Sequence, residues 1–287
     1  MILNHTQEAE SLRNQNQAEL RVLSELKGLE WLYARFVEGK RYVRHSHPTY
    51  VIGVVESGIE GFWYRGSSQA AGAKQIVAIN PEEPHDGYPV GGYFCYRMLY
   101  PSRQLINQVM AHQGGTLYFP KPVINDPQLA QEIATVHAQL NQEISLENEI
   151  AFHSVINRLI QRHGQGNHQT LTSRIKGYPN VDKARDYIES HLCERVSLQE
   201  VCELTDLPAH TLCRAFARQF GMPPHTYQIN RRIQLARNLL ASQKSITTVA
   251  LELGFSDQSH FHRRFRERVG VSPGHYQRAC KTIQDKR

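Results

Sequence analysis

The sequence predicts an α+β protein, with an antiparallel β-barrel or sandwich and trailing helices in front and an all-helical domain behind. Three observations support this. Residues 31–100 hold short apolar, β-branched and aromatic runs separated by Gly and Pro. After Pro101 the apolar spacing becomes helical. In the last third, eight residues recur at a fixed offset of 49: Glu203, Leu204, Arg214, Phe216, Gly221, Pro224, Tyr227 and Gln228 return as Glu252, Leu253, Arg263, Phe265, Gly270, Pro273, Tyr276 and Gln277. A unit of that size is too small for a generous core of its own and suits a helix-turn-helix with a connecting helix. Two in tandem present two similar helices to a partner that itself repeats, as duplex DNA does.

Residues 1–28 are polar and read as an N-terminal arm, in which Leu12, Leu20, Leu23 and Leu26 allow a weakly amphipathic helix. Strands are expected at 32–37, 50–55, 61–64, 75–79 and 93–100, with Gly58, Gly66, Gly72, Pro81, Pro84 and Gly91-Gly92 between them. Asp126-Pro127 opens a helix through Leu129, Ile133, Val136 and Leu140. A second, over 145–162, puts Leu146, Ile150, Phe152, Val155, Ile156, Leu159 and Ile160 largely on one face. The Gly/Gln/Asn-rich start of 164–180 marks that segment as a linker. The helical domain is expected over 181–280, leaving 29–163 as the β-rich domain and 281–287 as a tail.

Within the helical domain, Ser197 and Glu200 form a capping box. In the helix from Pro208, Leu212, Phe216 and Phe220 must face inward, which leaves His210, Cys213, Arg214 and Arg218 outside. A long helix over 224–242 joins the two units. In the second unit Asp257 caps a helix whose Phe261, Phe265 and Val269 face inward, leaving Gln258, Ser259, His262, Arg263 and Arg266 exposed. Gly221 and Gly270 stop the two helices.

Charge agrees with a polyanionic partner. Residues 1–180 carry 16 basic and 16 acidic side chains, and 181–287 carry 17 and 11, so the whole excess of +6 lies in the segment with the repeat. No apolar run is long enough for a membrane span, and the N-terminus lacks the basic start and apolar centre of a signal peptide. Five cysteines without a Cys-x-x-Cys pair point to reduced thiols in a cytoplasm.

In the β region Gly39 is followed after five residues by His45-Ser46-His47, and Gly58 lies eleven beyond His47. This resembles the first signature of the cupin family, with Val51 at the position of its Glu. Of the second signature there remain Pro81 and His85, one residue early, with Pro89 where an Asn might stand. Two readings stay open for His45, His47 and His85. They are hydrogen-bonded or pocket-lining residues at the barrel mouth, or they hold a divalent metal with an open fourth position. Tyr50, Trp63, Tyr64, Tyr96 and Arg97 are further candidates to line a ligand pocket.

The run Ala250-x3-Gly254-Phe255-x3-Ser259-x-Phe261-x2-Arg263-Arg264-Phe265-x4-Gly270-x-Ser272-Pro273-x2-Tyr276 resembles the signature of the AraC/XylS family of bacterial transcription regulators. The cupin-like front half resembles that family's sensor domain. The resemblance implies a cytoplasmic, nucleoid-associated regulator of promoter DNA and no enzyme. It implies two recognition helices in successive major grooves, a small-molecule effector, a homodimer formed through the 129–162 helices and, in an activator, contact with RNA polymerase. Carried over by position, His210, Cys213, Arg214, Gln258, Ser259, His262 and Arg263 face bases, and Arg218, Arg231, Arg264 and Arg266 face phosphates. The competing expectation is a metal-dependent cupin oxygenase or isomerase fused to a DNA-binding domain.

Overall fold

The computed structural model describes residues 17–23, 26–110, 116–142, 144–166 and 179–281. Alternation of apolar and polar side chains builds its front half. On strand β2 (Leu29–Val37), Leu32, Ala34 and Phe36 point into one core while Leu29 and Trp31 point into another. The remaining strands of this sheet are β1 (Gln17–Leu23), β3 (Tyr42–His45), β4 (Val51–Tyr64), β5 (Ser67–Gly72), β6 (Ile76–Ile79), β7 (His85–Pro101) and β9 (Val123–Ile124). They pair antiparallel in the order β1-β2-β7-β4-β6-β9, with β3 on β7 and β5 on β4. A small ribbon pairs β8 (Leu117–Tyr118) with β10 (Gln165–Gly166).

The long strands β4 and β7 change register between Val55 and Ser57 and again between Gly58 and Glu60. There Gly58 adopts φ +75°, and a Cβ on it would lie 2.1 Å from the Tyr93 carbonyl oxygen. Only glycine fits this bulge, where the two strands bend around the inner core.

The outer face of the sheet is covered by α1 (Arg103–Val109), α2 (Pro127–Gln142) and α3 (Leu146–His163). Leu129, Ile133, Leu140, Phe152, Ile156 and Leu159 pack there against Trp31, Ile52 and Leu99. Each such buried side chain is worth about 1.5–3 kcal/mol relative to exposure. Ser145 caps α3 by accepting from the Asn148 N–H, and the Asp126 carboxylate accepts from the Leu129 N–H at 3.1 Å at the start of α2.

Residues 17–23 and 26–28 do not form the expected arm. Residues 17–23 are strand β1, paired with β2 from Gln17↔Arg35 to Leu23↔Leu29, and Leu20, Leu23 and Leu26 are buried. Ala18, Leu20 and Val22 alternate toward the inner core, so period two prevails over the helical spacing of the leucines. Residues 1–16, with Leu12, lie outside the described residues. Most of the expected linker does too, except that Gln165–Gly166 forms β10 and Pro179 already begins a helix.

The helical domain runs α4 (Pro179–Ser190), α5 (Leu198–Thr205), α6 (Ala209–Phe220), α7 (Pro224–Ala241), α8 (Ile246–Glu252), α9 (Gln258–Val269) and α10 (Pro273–Lys281). Ser197 with Glu200, Ser245 and Asp257 cap α5, α8 and α9. The first unit closes a small core of its own from Val181, Ala184, Ile188, Val201, Leu212 and Phe216. The second does not. Its Ile233, Leu240, Val249, Phe261, Phe265 and Tyr276 are continuous with the inner core of the sheet, and α10 packs on β1 while α9 packs on β3.

Polar contacts fasten this junction. Asn230 of α7 exchanges hydrogen bonds with Ser46, and Gln234 donates to the Ser46 carbonyl at 2.9 Å. Glu30 of β2 accepts from Arg237 and from the Tyr276 hydroxyl.

Candidate functional site

The repeat separates structural residues from free ones. Phe216 and Phe265 are fully buried. Gly221 and Gly270 end α6 and α9 with φ of +74° and +87°. Pro224 and Pro273 start α7 and α10. Tyr227 donates to Glu189 at 2.6 Å, and Tyr276 to Glu30 at 3.0 Å. Gln228 donates to the carbonyls of His191, Leu192 and Glu194, and Gln277 to that of Lys244. Glu203 accepts from Gln199, Glu252 pairs with Lys244, and Leu253 is buried although Leu204 is exposed. Arg214 and Arg263 differ from all of these: both are exposed, with no partner among the described residues.

Around them α6 presents His210 and Arg218, both exposed, and a half-buried Cys213. Helix α9 presents Gln258, Ser259 and Arg266, exposed, and a half-buried His262 whose Nε2 has no partner. His262, Arg263 and Arg266 share a surface pocket with Lys40 of the barrel, and burial together with the charge of Arg266 pushes the Lys40 ammonium pKa down. Two of the expected phosphate-facing residues are otherwise engaged. Arg231 donates to Glu189 at 2.8 Å and lines a cleft with Glu30, Thr49 and Glu82, so it faces the barrel. Arg264 pairs with Glu267 at 3.2 Å and donates to His260. A partly exposed pair of this kind is worth only about 0–1 kcal/mol, and a phosphate can displace it.

The barrel interior holds a cavity of about 30 Å³, lined by Tyr42, His45, Val51, Glu60, His85, Tyr96, Met98 and Tyr100 among others. Of the sequence candidates His45, His85 and Tyr96 are there, and His47 joins the two histidines in one cluster. Four are elsewhere. Tyr50 faces the outer core and donates to the Leu117 carbonyl. Trp63 stacks under Arg44 at 3.7 Å. Tyr64 points inward but bonds Glu83 and Asn80, and Arg97 pairs with Glu56 on the outside at 2.7 Å. Strand alternation explains Arg97 and Trp63, since each neighbours an inward residue, Tyr96 and Phe62. The same period from Tyr96 gives Met98 and Tyr100, and from Phe62 gives Glu60, which sequence reasoning missed.

Each histidine ring is anchored. The Nδ1 atoms of His45 and His85 donate to the carbonyls of Val43 and Glu83 at 2.9 Å, and that of His47 lies 3.0 Å from the Thr49 carbonyl and 3.1 Å from the Thr49 hydroxyl. Burial keeps all three imidazoles neutral, with pKa values below the usual range, and mutual repulsion adds to this for His45 and His47. Burial also raises the Glu60 carboxyl to about 8, and its Oε2 has no partner among the described residues. From the helical domain the buried Arg268 approaches the same site. Its pKa is pushed down to about 10 by burial, and its Nε has no partner. Neutral, oriented imidazoles with an orphaned Nε2 on His47 fit the donor set of a transition cation.

Comparison with known proteins accords with both halves. Residues 201–279 match the family described as a helix-turn-helix domain, and residues 29–156 the AraC-like ligand binding domain. The transcriptional activator RhaS of Escherichia coli O81 (strain ED1a) is 25% identical over 246 residues, covering 81% of this chain and 86% of RhaS. The uncharacterized HTH-type transcriptional regulator YbfI of Bacillus subtilis (strain 168) is 25% identical over 226 residues, covering 77% and 82%. The crystal structure of ToxT from Vibrio cholerae O395 superposes with a TM-score of 0.50 at 14% identity, over 92% of this chain and 98% of ToxT, which shows a shared fold. The chain thus joins a helix-turn-helix domain to an AraC-like ligand-binding domain, the make-up of an AraC-type DNA-binding transcription regulator.

Proposed function

We propose that this regulator is an effector-responsive activator that lays α6 and α9 in successive major grooves of promoter DNA. The observation that carries this reading is the exposed pair Arg214 and Arg263, without partners among the described residues, at equivalent places in two units whose other repeated residues, Leu204 apart, serve packing, capping or local pairing. Arginine pairs bidentately with guanine, and glutamine with adenine, so Arg263 and Gln258 read bases together with Ser259 and His262. On α6 His210, Cys213 and Arg214 do the same. Arg218, Arg264 and Arg266 hold phosphates. Successive grooves on one face of B-DNA are about 34 Å apart.

The homodimer forms through α3, where Leu146 and Ile150 are 73% and 59% exposed beside Val109. Activation proceeds by contact with RNA polymerase in the bacterial cytoplasm, at the nucleoid. No described helix is long and apolar enough to cross a membrane. The chain acts as a regulator and not as a cupin enzyme: the relatives it matches are regulators, and Val51 faces the cavity where the signature places a carboxylate.

The test is selection of a cognate site from random duplexes, followed by Arg263→Ala and Arg214→Ala. Each substitution costs about 1–3 kcal/mol at the selected site and relaxes preference at one base pair. Equal losses on random DNA would move that arginine to the phosphate group, and no enrichment of any site would overturn the reading.

A further inference from the structure

The three histidines are arranged more elaborately than packing requires. A carbonyl can only accept, so the Nδ1 of His45 and of His85 carries the hydrogen and leaves a bare lone pair on Nε2, while the Nδ1 of His47 faces both the carbonyl and the hydroxyl of Thr49. A ligating nitrogen of each ring lies within 4.8 Å of one on each of the others, and all three residues are buried. Buried acceptors facing one another without a donor are unfavourable, and the Nε2 of His47 has no partner. Three buried imidazoles held by local hydrogen bonds, with ligating nitrogens within 4.8 Å of one another, are what a borderline cation needs.

The surroundings decide which ligands the cluster admits and how their binding is felt elsewhere. The cavity of about 30 Å³ beside His45 and His85 has room for an ion with a water, whereas pockets for organic ligands run to roughly 300–1,000 Å³. Glu60 lines this cavity as well, and its Oε2 has no partner among the described residues. Nitrogens around zinc at ordinary bond lengths stand about 3.3 Å apart, so the rings draw together on binding. His45 and His47 flank Ser46, whose main-chain N–H, carbonyl and hydroxyl all engage Asn230 of α7. Any movement of the two flanks is therefore transmitted to the hydrogen bonds that dock the helical domain.

We propose that His45, His47 and His85 bind one divalent first-row transition cation, and that this binding opposes the docking of the DNA-binding domain on the barrel. The inference rests on the regulator reading above and names the class of its effector. Zinc, iron(II), cobalt(II) and nickel suit three neutral imidazoles, while magnesium and calcium require oxygen ligands.

The test uses the full chain, stripped with chelator and titrated with cobalt(II), with zinc as competitor. One cobalt binds per chain, gives the visible spectrum of a nitrogen-ligated, four- or five-coordinate ion and is displaced by zinc; magnesium does neither. His47→Ala and His85→Gln, each checked for an unchanged apo melt, weaken binding on the order of 100-fold. Asn230→Ala keeps every ligand and weakens docking, so by reciprocity it tightens cobalt binding on the order of 5-fold. The spectrum of the hexa-aqua ion, or binding indifferent to both histidine substitutions, overturns the site. Unchanged affinity in Asn230→Ala overturns the coupling. If a histidine variant fails to fold, the wild-type cobalt spectrum decides alone. No DNA enters the titration, so a missing metal site leaves the transcription reading standing, and a missing DNA site leaves the metal standing.

Discussion

His137 is fully buried on α2, stacked on Trp31 at 4.3 Å, with its Nε2 donating to the Leu32 carbonyl at 3.1 Å. Burial pushes its pKa down to about 3. The folded state thus releases a proton that the unfolded chain, titrating near 6.5, still holds. Its contribution to stability is whole above 6.5 and is lost as pH falls through that value toward 3. His137→Gln should flatten the fall of Tm over this window, and a parallel fall in both proteins would assign the acid sensitivity elsewhere. The arginines divide in a similar way by what they already touch. Arg231→Ala should cost about 1 kcal/mol or less, from its pair with Glu189, and leave the salt dependence of DNA binding unchanged. Arg266→Ala should leave stability unchanged and lower the slope of log affinity against log salt by about 0.9.

Among the elements, α6 and α9 end in glycines that also touch the barrel. A Cβ on Gly221 would stand 2.5 Å from Pro84, and one on Gly270 would stand 2.4 Å from the Tyr42 hydroxyl. Both backbones are left-handed as well, so Gly270→Ala should lower stability by about 1–3 kcal/mol in denaturant melts. On α3, Ile150→Arg should give a monomer in sedimentation without lowering Tm, because the side chain is exposed. Element type was legible wherever a period ran uninterrupted, as in Leu32, Ala34 and Phe36 or in Leu212, Phe216 and Phe220. It failed at Gln17–Leu23, where a three-residue leucine spacing coexists with alternation and only pairing with β2 decides between them. The exposed faces of α6 and α9 were legible because inward residues fix the outward ones. The cavity was only partly so. Alternation tells which side of a strand faces in, but not which end of the barrel a residue reaches, and Tyr64 shows the difference.

At the scale of the molecule, the domain junction could not be read from sequence, since it joins residues far apart such as Glu30 with Arg237 and Ser46 with Asn230. Glu30 and Arg237 are each 15% exposed by side chain. Glu30→Ala strands a buried guanidinium and should cost about 3–5 kcal/mol. Denaturant melts check this; a loss below 1 kcal/mol would mean that the domains part readily in solution. The packing of α10 on β1 also bears on synthesis. Roughly 250 residues separate Leu23 from Pro273, and closing so long a loop is entropically demanding and slow. As the chain leaves the ribosome, the barrel must wait with Ala18, Leu20 and Val22 short of their final cover. A nonsense mutation within the last helix would therefore do more than trim a DNA-binding unit. It would leave a sticky strand on the sensor, visible to proteases and chaperones, and remove the whole protein from the cell.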